Sequence, residues 1–170
     1  SAWYSSMSDF CVFRKGAIVA ISSPRLISMA IGKHVDAEEL GGWRVHAEVS
    51  GIADQVVDTD EEAIAAIRKF LSYMPSNNME APPQAPVPAG SGAEMEKVLT
   101  LLPESINQVY DVKKIIRCIV DLDSMFELKA RFGRALVTAL ARIDGKTVGI
   151  FANNPLHRAG AIGADECLKA

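Results

Sequence analysis

A proline-rich stretch near the middle of the chain, residues 74–92, limits which folds are open to it. The stretch holds five of the eight prolines, two glycines and a single charged residue, Glu80. Proline fixes its own φ angle and has no N–H to donate, so the stretch cannot form a core helix or a central strand. Its few large apolar side chains also give it little surface to bury. We therefore predict a linker over residues 74–96 between two parts, residues 1–73 and 97–170.

Charge and cysteine content exclude several kinds of partner. The chain has 18 basic and 21 acidic residues, and a net charge of −3 disfavours nucleic acid held by charge. No apolar run reaches the roughly 20 residues that span a bilayer, and no leader pattern opens the sequence. We therefore expect a cytoplasmic protein with no membrane partner. Cys11, Cys118 and Cys167 lack the close pairs of zinc or redox sites, so we expect reduced, mostly buried thiols and no bound metal.

The first part begins with two short apolar runs. Residues 9–14 and 17–21 flank Lys15-Gly16, which predicts two adjacent strands. A short helix is expected around residues 36–40, followed by another strand within residues 43–58. Strands mixed with short helices favour an α/β fold.

Two longer helices are also predicted in the first part. Ser23 is a typical N-cap, and Gly32 is a typical end for the helix that would follow it. Thr59 and Glu62 have the spacing of a capping box, which predicts a helix over residues 60–73. This second helix should lay one apolar face on a core, because large side chains recur every three or four residues. These side chains are Ile64, Ile67, Leu71 and Met74.

The second part contains a clear hairpin signal. Residues 134–143 and 146–152 are apolar runs joined by Asp144-Gly145, which is typical of a two-residue β-turn. An amphipathic helix starting at Asp111 precedes the hairpin, and another helix is expected over residues 164–170. The apolar face of the first of these helices consists of Val112, Ile115, Ile116 and Ile119.

The sequence contains no phosphate loop, dinucleotide fingerprint, nucleophile elbow, zinc-protease motif or Cys-x-x-Cys pair. His46, Ser50 and Asp54 have the residue types of a catalytic triad. A spacing of four residues is common, however, so a hydrogen-bonded structural cluster is the favoured interpretation. The catalytic residues therefore remain unknown at this point.

Two charged groups have an ordinary explanation beside a functional one. His34 and Asp36, with the glutamates that follow, have metal-binding residue types. A helix start enriched in acidic residues explains the same residues through the helix dipole, and this is the favoured interpretation. Lys113, Lys114 and Arg117 could reach a phosphate, but a solvated helix face is the simpler interpretation.

A run of small residues follows the hairpin. Residues 159–163 read Ala-Gly-Ala-Ile-Gly and come just after the polar turn at residues 153–155. Small side chains let backbone amides approach a ligand closely, so this loop is a candidate binding element. A tight turn that leads into a helix is the alternative.

Motifs in both parts occur together in a fixed order. The first part contains AWYSSMSDF at residues 2–10, ELGG at 39–42, His46, SG at 50–51 and FLSYMP at 70–75. The second contains YDVK at 110–113, FE at 126–127 and GKTVGI at 145–150, followed by Asn153, Pro155, Ala159 and Gly160. In this order, with the proline-rich linker between them, they resemble the carboxyltransferase (beta) subunit of biotin-dependent acyl-CoA carboxylases.

The resemblance implies an α/β fold, the crotonase-like (ClpP/crotonase) spiral, repeated twice. Residues 1–73 would be the end of the N-terminal carboxyltransferase domain, and residues 97–170 the start of the C-terminal one. The implied reaction moves a carboxyl group from carboxybiotin to the α-carbon of an acyl-CoA. The implied partners are a biotin carboxylase subunit, biotin on a separate carrier domain, and further copies of the subunit whose N- and C-terminal halves face each other.

The resemblance also implies where the chemistry occurs. In the family, two oxyanion holes of backbone amides carry catalysis. Both are expected outside this chain, since one precedes Ala2 and the other lies beyond Ala170, so we expect the chain alone to be inactive. Ala2 and Tyr4 would line the edge of the acyl-CoA site. The loop after the hairpin would approach a ligand through Asn153, Asn154, Pro155, Ala159, Gly160, Ala161 and Ile162.

Two other functions remain open on the sequence. The first is an acyl-CoA decarboxylase or transcarboxylase subunit with the same fold. The second is a non-catalytic interaction module in which the glycine loops are only turns. The acyl group of the substrate is also open.

Overall fold

A computed structural model describes residues 2–105 and 107–170 of the chain. It shows two compact units, one ending at Arg68 and the other Lys69–Ala170. Both units mix helices with short strands. The assignment of residues 1–73 and 97–170 to the ends of two carboxyltransferase domains stays a prediction.

The first unit contains one two-stranded parallel sheet among short helices. Its elements are α1 (Ala2–Ser6), β1 (Val12–Arg14), α2 (Pro24–Ile31), α3 (Ala37–Gly41), a π-helix (Val45–Val49), β2 (Gln55–Val57) and α4 (Asp60–Leu71), which continues into the second unit. β1 pairs with β2, and Phe13 lies opposite Val56. Phe13 is buried with Ala47 and Ala53 in the core of this unit.

The predicted strand over residues 17–21 is wrong. These residues make only an isolated bridge, between Ile18 and Gly42, and β1 pairs with β2 instead. The reason is that the backbone of Val19 bonds to α3: its N–H donates to the Gly41 carbonyl at 2.8 Å. The expected strand within residues 43–58 is confirmed only as β2, because the π-helix occupies the residues before it.

The helix starts follow the capping chemistry. Ser23 Oγ accepts the Leu26 N–H at 3.3 Å, and Gly32 ends α2 with a φ of 67°. At α4, Thr59 Oγ1 accepts the Glu62 N–H at 3.1 Å while Glu62 Oε2 accepts the Thr59 N–H at 3.3 Å. The predicted capping box and both helices are therefore confirmed.

The expectation that α4 buries one apolar face is wrong. Ile64, Ile67 and Leu71 are 52%, 44% and 59% exposed. Periodicity identifies an amphipathic helix, but it does not say what covers the apolar side.

The second unit is built on an antiparallel sheet. Its elements are a 3₁₀ helix (Met95–Lys97), α5 (Val98–Leu101), α6 (Val112–Ile119), β3 (Phe126–Leu128), β4 (Leu136–Ile143), β5 (Lys146–Asn153), a 3₁₀ turn (Arg158–Gly160) and α7 (Ala164–Lys169). The strand order is β3-β4-β5. Val112 and Ile116 of α6 pack on Val137 and Ala141 of β4 to form its core.

The hairpin and its turn are confirmed. Asp144 and Gly145 have φ angles of 52° and 73°, the left-handed pair that a two-residue hairpin turn requires. The proline-rich stretch contains no helix or strand and contacts this turn, because the Ala85 N–H donates to the Gly145 carbonyl at 2.9 Å. It is therefore attached to the sheet rather than loose.

A buried tyrosine follows α4. Tyr73 has no exposed surface, and its hydroxyl donates to the Ser124 carbonyl. The Arg142 guanidinium carbon lies 4.3 Å from the centre of its ring, and Arg142 Nη2 donates to the Ser72 carbonyl at 2.7 Å. Burial raises the pKa of Tyr73, although Arg142 opposes the shift. These contacts hold the start of the second unit against its sheet.

All three cysteines are unbridged, with Cys118 buried and Cys11 partly buried. The expectation of burial is wrong for Cys167, because this residue lies on the outward side of α7. Among the described helices, none is long and apolar enough to cross a membrane.

Candidate functional site

An apolar cavity of about 400 Å³ lies in the first unit. It is lined by α1, by residues 19–22, and by Ile27, Leu40, His46 and Ile52. Its polar side chains are three serines and the imidazole of His46. The volume falls in the range of ordinary small-molecule sites, and the lining suits an apolar group with a few polar contacts.

The glycines of the ELGG segment let one wall of the cavity form. A Cβ added at Gly41 would lie 2.2 Å from the Val19 carbonyl oxygen, and one added at Gly42 would lie 2.7 Å from the Glu38 carbonyl oxygen. A larger residue at position 41 would push Val19 away from α3, and one at position 42 would clash with Glu38 within the same segment. The segment therefore needs glycine for a close backbone approach.

His46 connects the π-helix to that wall. Its Nε2 lies 2.7 Å from the Val19 carbonyl oxygen, and its Nδ1 lies 3.1 Å from Ser50 Oγ. A carbonyl only accepts, so we assign the proton to Nε2 and the acceptor role to Nδ1. The ring also lies against Phe13, with 5.1 Å between ring centres.

The favoured interpretation of the His46, Ser50 and Asp54 group, a structural cluster, is confirmed. In a catalytic triad the second ring nitrogen of the histidine faces a carboxylate, whereas here it faces the Val19 carbonyl. Asp54 Oδ2 accepts the backbone N–H of Cys11 at 2.8 Å. His46 and Asp54 therefore bond backbone groups, and Ser50 bonds the His46 ring.

Ala2 and Tyr4, the site residues expected in the first unit, lie differently. Ala2 lines the cavity, while Tyr4 is 82% exposed and does not line it. Trp3, which was part of the AWYSSMSDF motif but not an expected site residue, also lines the cavity. A lone aromatic residue gives no sequence signal that separates a site from a surface. The assignment of Ala2 and Tyr4 to an acyl-CoA site stays a prediction.

The residues expected in the second unit form one loop. Asn153 Nδ2 donates to the Gly160 carbonyl at 2.8 Å, and buried Asn154 donates through Nδ2 to the Arg134 carbonyl at 3.1 Å. These two amides hold the loop against the start of β4. Pro155 lies in the turn between them and the 3₁₀ segment, and Ala161 and Ile162 are exposed.

The backbone of this loop is unusual. Arg158, Ala159 and Gly160 have successive positive φ angles of 49°, 52° and 76°. The N–H groups of Gly160 and Ala161 donate to the carbonyls of His157 and Arg158, so the loop itself uses these amides. The role of the loop in ligand binding stays a prediction.

Sequence reasoning missed two buried ionisable residues on α7, of which Glu166 bonds the loop and Lys169 bonds the start of β4. Glu166 Oε2 accepts the Gly163 N–H at 2.9 Å, which holds the pKa of this carboxyl below its usual value. Lys169 Nζ donates to the Leu136 carbonyl at 2.6 Å, and burial lowers its pKa to about 8. Glu166 and Lys169 point inward because of how α7 packs on the rest of the unit, and the local sequence pattern does not predict this packing.

The other charged candidates have structural roles. Asp36 caps α3, because its Oδ1 accepts the Glu38 N–H at 2.8 Å. Over residues 2–105 and 107–170, no group of three His, Cys, Asp or Glu side chains is placed to hold a metal ion. Lys113 pairs with Glu127 at 2.7 Å, while Lys114 and Arg117 are exposed on α6.

Known proteins resemble the chain over nearly its whole length. The chain is 35% identical to the biotin-dependent acetyl-/propionyl-coenzyme A carboxylase beta5 subunit of Mycobacterium leprae, over 97% of this chain and 32% of that protein. It is also 35% identical to the methylmalonyl-CoA decarboxylase subunit alpha of Veillonella parvula, over 92% of this chain and 31% of that protein. The chain thus spans about a third of the length of these relatives.

A solved structure confirms the fold. The transcarboxylase 12S hexamer, with methylmalonyl-coenzyme A and methylmalonic acid bound, superposes with a TM-score of 0.91 at 32% identity, over 97% of this chain and 32% of that one. The α/β fold is therefore crotonase-like, as the resemblance implied. The family model of the carboxyl transferase domain matches residues 1–170. The chain belongs to the carboxyl transferase domain family.

Proposed function

We propose that the protein containing this chain transfers a carboxyl group from carboxybiotin to the α-carbon of an acyl-CoA, as part of a biotin-dependent acyl-CoA carboxylase. The observation that carries the proposal is the match of the carboxyl transferase domain to all 170 residues. The Mycobacterium relative is by name a biotin-dependent acetyl-/propionyl-CoA carboxylase subunit. Carboxybiotin would supply the carboxyl group.

The apolar cavity supports this proposal, because an acyl group needs a site that excludes water. Ile27, Leu40 and Ile52 give it aliphatic walls, and Ala2 leaves space at its edge. We assign the acyl group of the substrate to this cavity. Small residues there let the thioester lie close to the backbone.

The implied partners and location belong to the same proposal. We expect a biotin carboxylase subunit, biotin on a separate carrier domain, and a homo-oligomer in which N- and C-terminal halves face each other. The hexameric assembly of transcarboxylase 12S supports an oligomer. The cytoplasmic location stays an expectation from the sequence.

A second candidate function is decarboxylation of, or carboxyl transfer from, a carboxyacyl-CoA. The similarity to a methylmalonyl-CoA decarboxylase subunit and to transcarboxylase 12S favours it. The acyl-CoA site would be the same, and the fate of the carboxyl group would differ.

The test uses the full-length polypeptide that contains this chain. It measures carboxyl transfer from malonyl-CoA and methylmalonyl-CoA to free biotin. Carboxylation of biotin is the half-reaction that both candidates share. In the complete enzyme, net carboxylation of an acyl-CoA supports the carboxylase proposal, whereas net decarboxylation of the carboxyacyl-CoA, or transfer of its carboxyl group to another acceptor, supports the second candidate. Absence of both, together with no binding of a CoA thioester, would contradict the proposal and leave the non-catalytic interaction module.

A matched pair of variants tests the cavity. Ala2→Phe fills its edge, while Ala30→Phe adds the same ring at an exposed position of α2 that does not line it. We expect Ala2→Phe to raise the KM for acyl-CoA at least about tenfold, and Ala30→Phe to leave it within about twofold. Equal KM values for the two variants would contradict the assignment of the acyl group to this cavity.

A further inference from the structure

We propose that His46 is a positioning residue: it holds the Val19 wall of the cavity in place and thereby determines which acyl chain lengths the cavity accepts. This inference rests on the proposed function of the cavity. It adds a role for a side chain that the family resemblance gave only as part of a motif.

The π-helix aims His46 at the cavity. The Ser50 N–H donates to the Val45 carbonyl at 2.9 Å, the i to i+5 bond that defines this helix. If these residues formed an ordinary α-helical turn, the His46 side chain would point in a different direction relative to the residues that follow the turn. π-Helical turns are rare and are frequently found at functional sites. Ala47, the next residue, is buried in the core, so the turn has one fixed orientation.

Each nitrogen of the imidazole has a separate task. Nε2–H donates to the Val19 carbonyl at 2.7 Å, and Nδ1 accepts from the Ser50 hydroxyl at 3.1 Å. The second bond favours the tautomer that the first one needs. Buried Phe13 lies against the ring and limits its rotation.

Val19 is held through both of its backbone groups. Its N–H donates to the Gly41 carbonyl at 2.8 Å, and its carbonyl accepts from His46. Residues 19–22 belong to no strand, so no sheet ladder fixes them. These four residues all line the cavity. Loss of the His46 bond would release the carbonyl side of Val19 and let this wall move.

A movable wall changes selectivity more than it changes chemistry. A short acyl group fills only part of a cavity of about 400 Å³, whereas a longer one must also contact the far walls. We therefore expect loss of the His46 bonds to alter the KM for a long acyl-CoA more than it alters the kcat for a short one. A purely structural role would lower the amount of active enzyme for both substrates equally.

The experiment compares propionyl-CoA with octanoyl-CoA in the full-length enzyme. His46→Phe keeps a ring against Phe13 but removes both hydrogen bonds. His46→Gln keeps an N–H donor able to reach Val19. Val49→Ala changes an exposed residue of the same π-helix and is the control.

For His46→Phe we expect the ratio of the two KM values to change at least about fivefold, and any loss of kcat for propionyl-CoA to be smaller than this change. His46→Gln should restore the ratio to within about twofold, and Val49→Ala should leave it unchanged. Ser50→Ala, which only loosens the ring, should shift the ratio in the same direction by less. Ser50→Ala also tests the proposal if the His46→Phe protein does not fold.

An unchanged ratio in both His46→Phe and Ser50→Ala would overturn the inference, as would an equal loss of kcat for both substrates. A wild-type enzyme that neither binds an acyl-CoA nor transfers carboxyl would instead overturn the proposed function. The two failures are therefore distinguishable.

Discussion

Lys169 shows how a single buried charge makes stability depend on pH. Its side chain is almost fully buried, with the residue 6% exposed, and Nζ donates to the Leu136 carbonyl. Desolvation lowers its pKa to about 8 from an ordinary value of 10.5, and Glu127 opposes the shift. Between these two values the unfolded chain binds more protons than the folded one. The contribution of Lys169 to the free energy of unfolding therefore rises with pH from about 8 to about 10.5.

A comparison of wild type with Lys169→Met tests this pH dependence. The difference in the free energy of unfolding, wild type minus variant, should increase between pH 7.5 and pH 10.5 by at most about 3 kcal/mol. Urea unfolding at the two pH values measures it. Lys146→Met, at an exposed lysine, is the control and should give a difference that is the same at both. A difference for Lys169→Met that is constant or falls with pH would contradict the assignment.

The hairpin turn gives a prediction about one element and its contact with the linker. Gly145 has a φ of 73°, and a Cβ there would lie 2.2 Å from the Ala85 carbonyl oxygen. Gly149 lies in β5, and a Cβ there meets nothing within 4 Å. We expect Gly145→Ala to lower the free energy of unfolding by at least about 2 kcal/mol and Gly149→Ala to change it by less than about 0.5 kcal/mol.

Thermal and urea unfolding of the two alanine variants, side by side, measure this difference. Each variant adds one methyl group to the same hairpin, so the comparison isolates the turn and the linker contact. Equal stabilities would contradict both the left-handed turn at Gly145 and its contact with Ala85.

Elements that carry their own chemistry could be predicted from the sequence. Ser23, Thr59 with Glu62, and Asp144-Gly145 each satisfy backbone groups within a few residues, so their helices and turn follow from local patterns. The prediction of a strand over residues 17–21 is wrong because the backbone of Val19 bonds to α3, which is distant in sequence. The prediction that α4 buries its apolar face is wrong for a related reason: the periodicity of apolar residues does not show which surface, if any, covers them.

The sequence predicted the candidate site only where a motif of small residues marks a place at which two backbone segments approach each other closely. Ala2 lines the cavity and Gly41 lies against Val19 in its wall, and both belong to motifs that carry the family resemblance. The contact of His46 with Val19 depends on the π-helix, which has no sequence signature. The inward direction of the Lys169 side chain likewise depends on how α7 packs on the rest of the second unit.

The first unit as a whole exposes several large apolar side chains. They include Trp3 at 65%, Met29 at 72% and Leu26 at 61% exposure. Scattered apolar residues are normal on a surface, but Leu26 and Met29 lie one turn apart on α2, so they form one patch. A patch of this kind is typical of a surface that another protein surface covers.

We therefore expect the 170-residue chain, produced by itself, to associate in solution. Size-exclusion chromatography with light scattering should show a mass that rises with concentration over a roughly hundredfold range, because burial of apolar area drives association. The double substitution Leu26→Lys and Met29→Lys should shift the chain towards monomer. Val87→Lys, at an exposed residue of the proline-rich linker, is the matched control and should leave the association unchanged. A monomer at every concentration, or an equal response to both changes, would show that the α2 patch does not drive association.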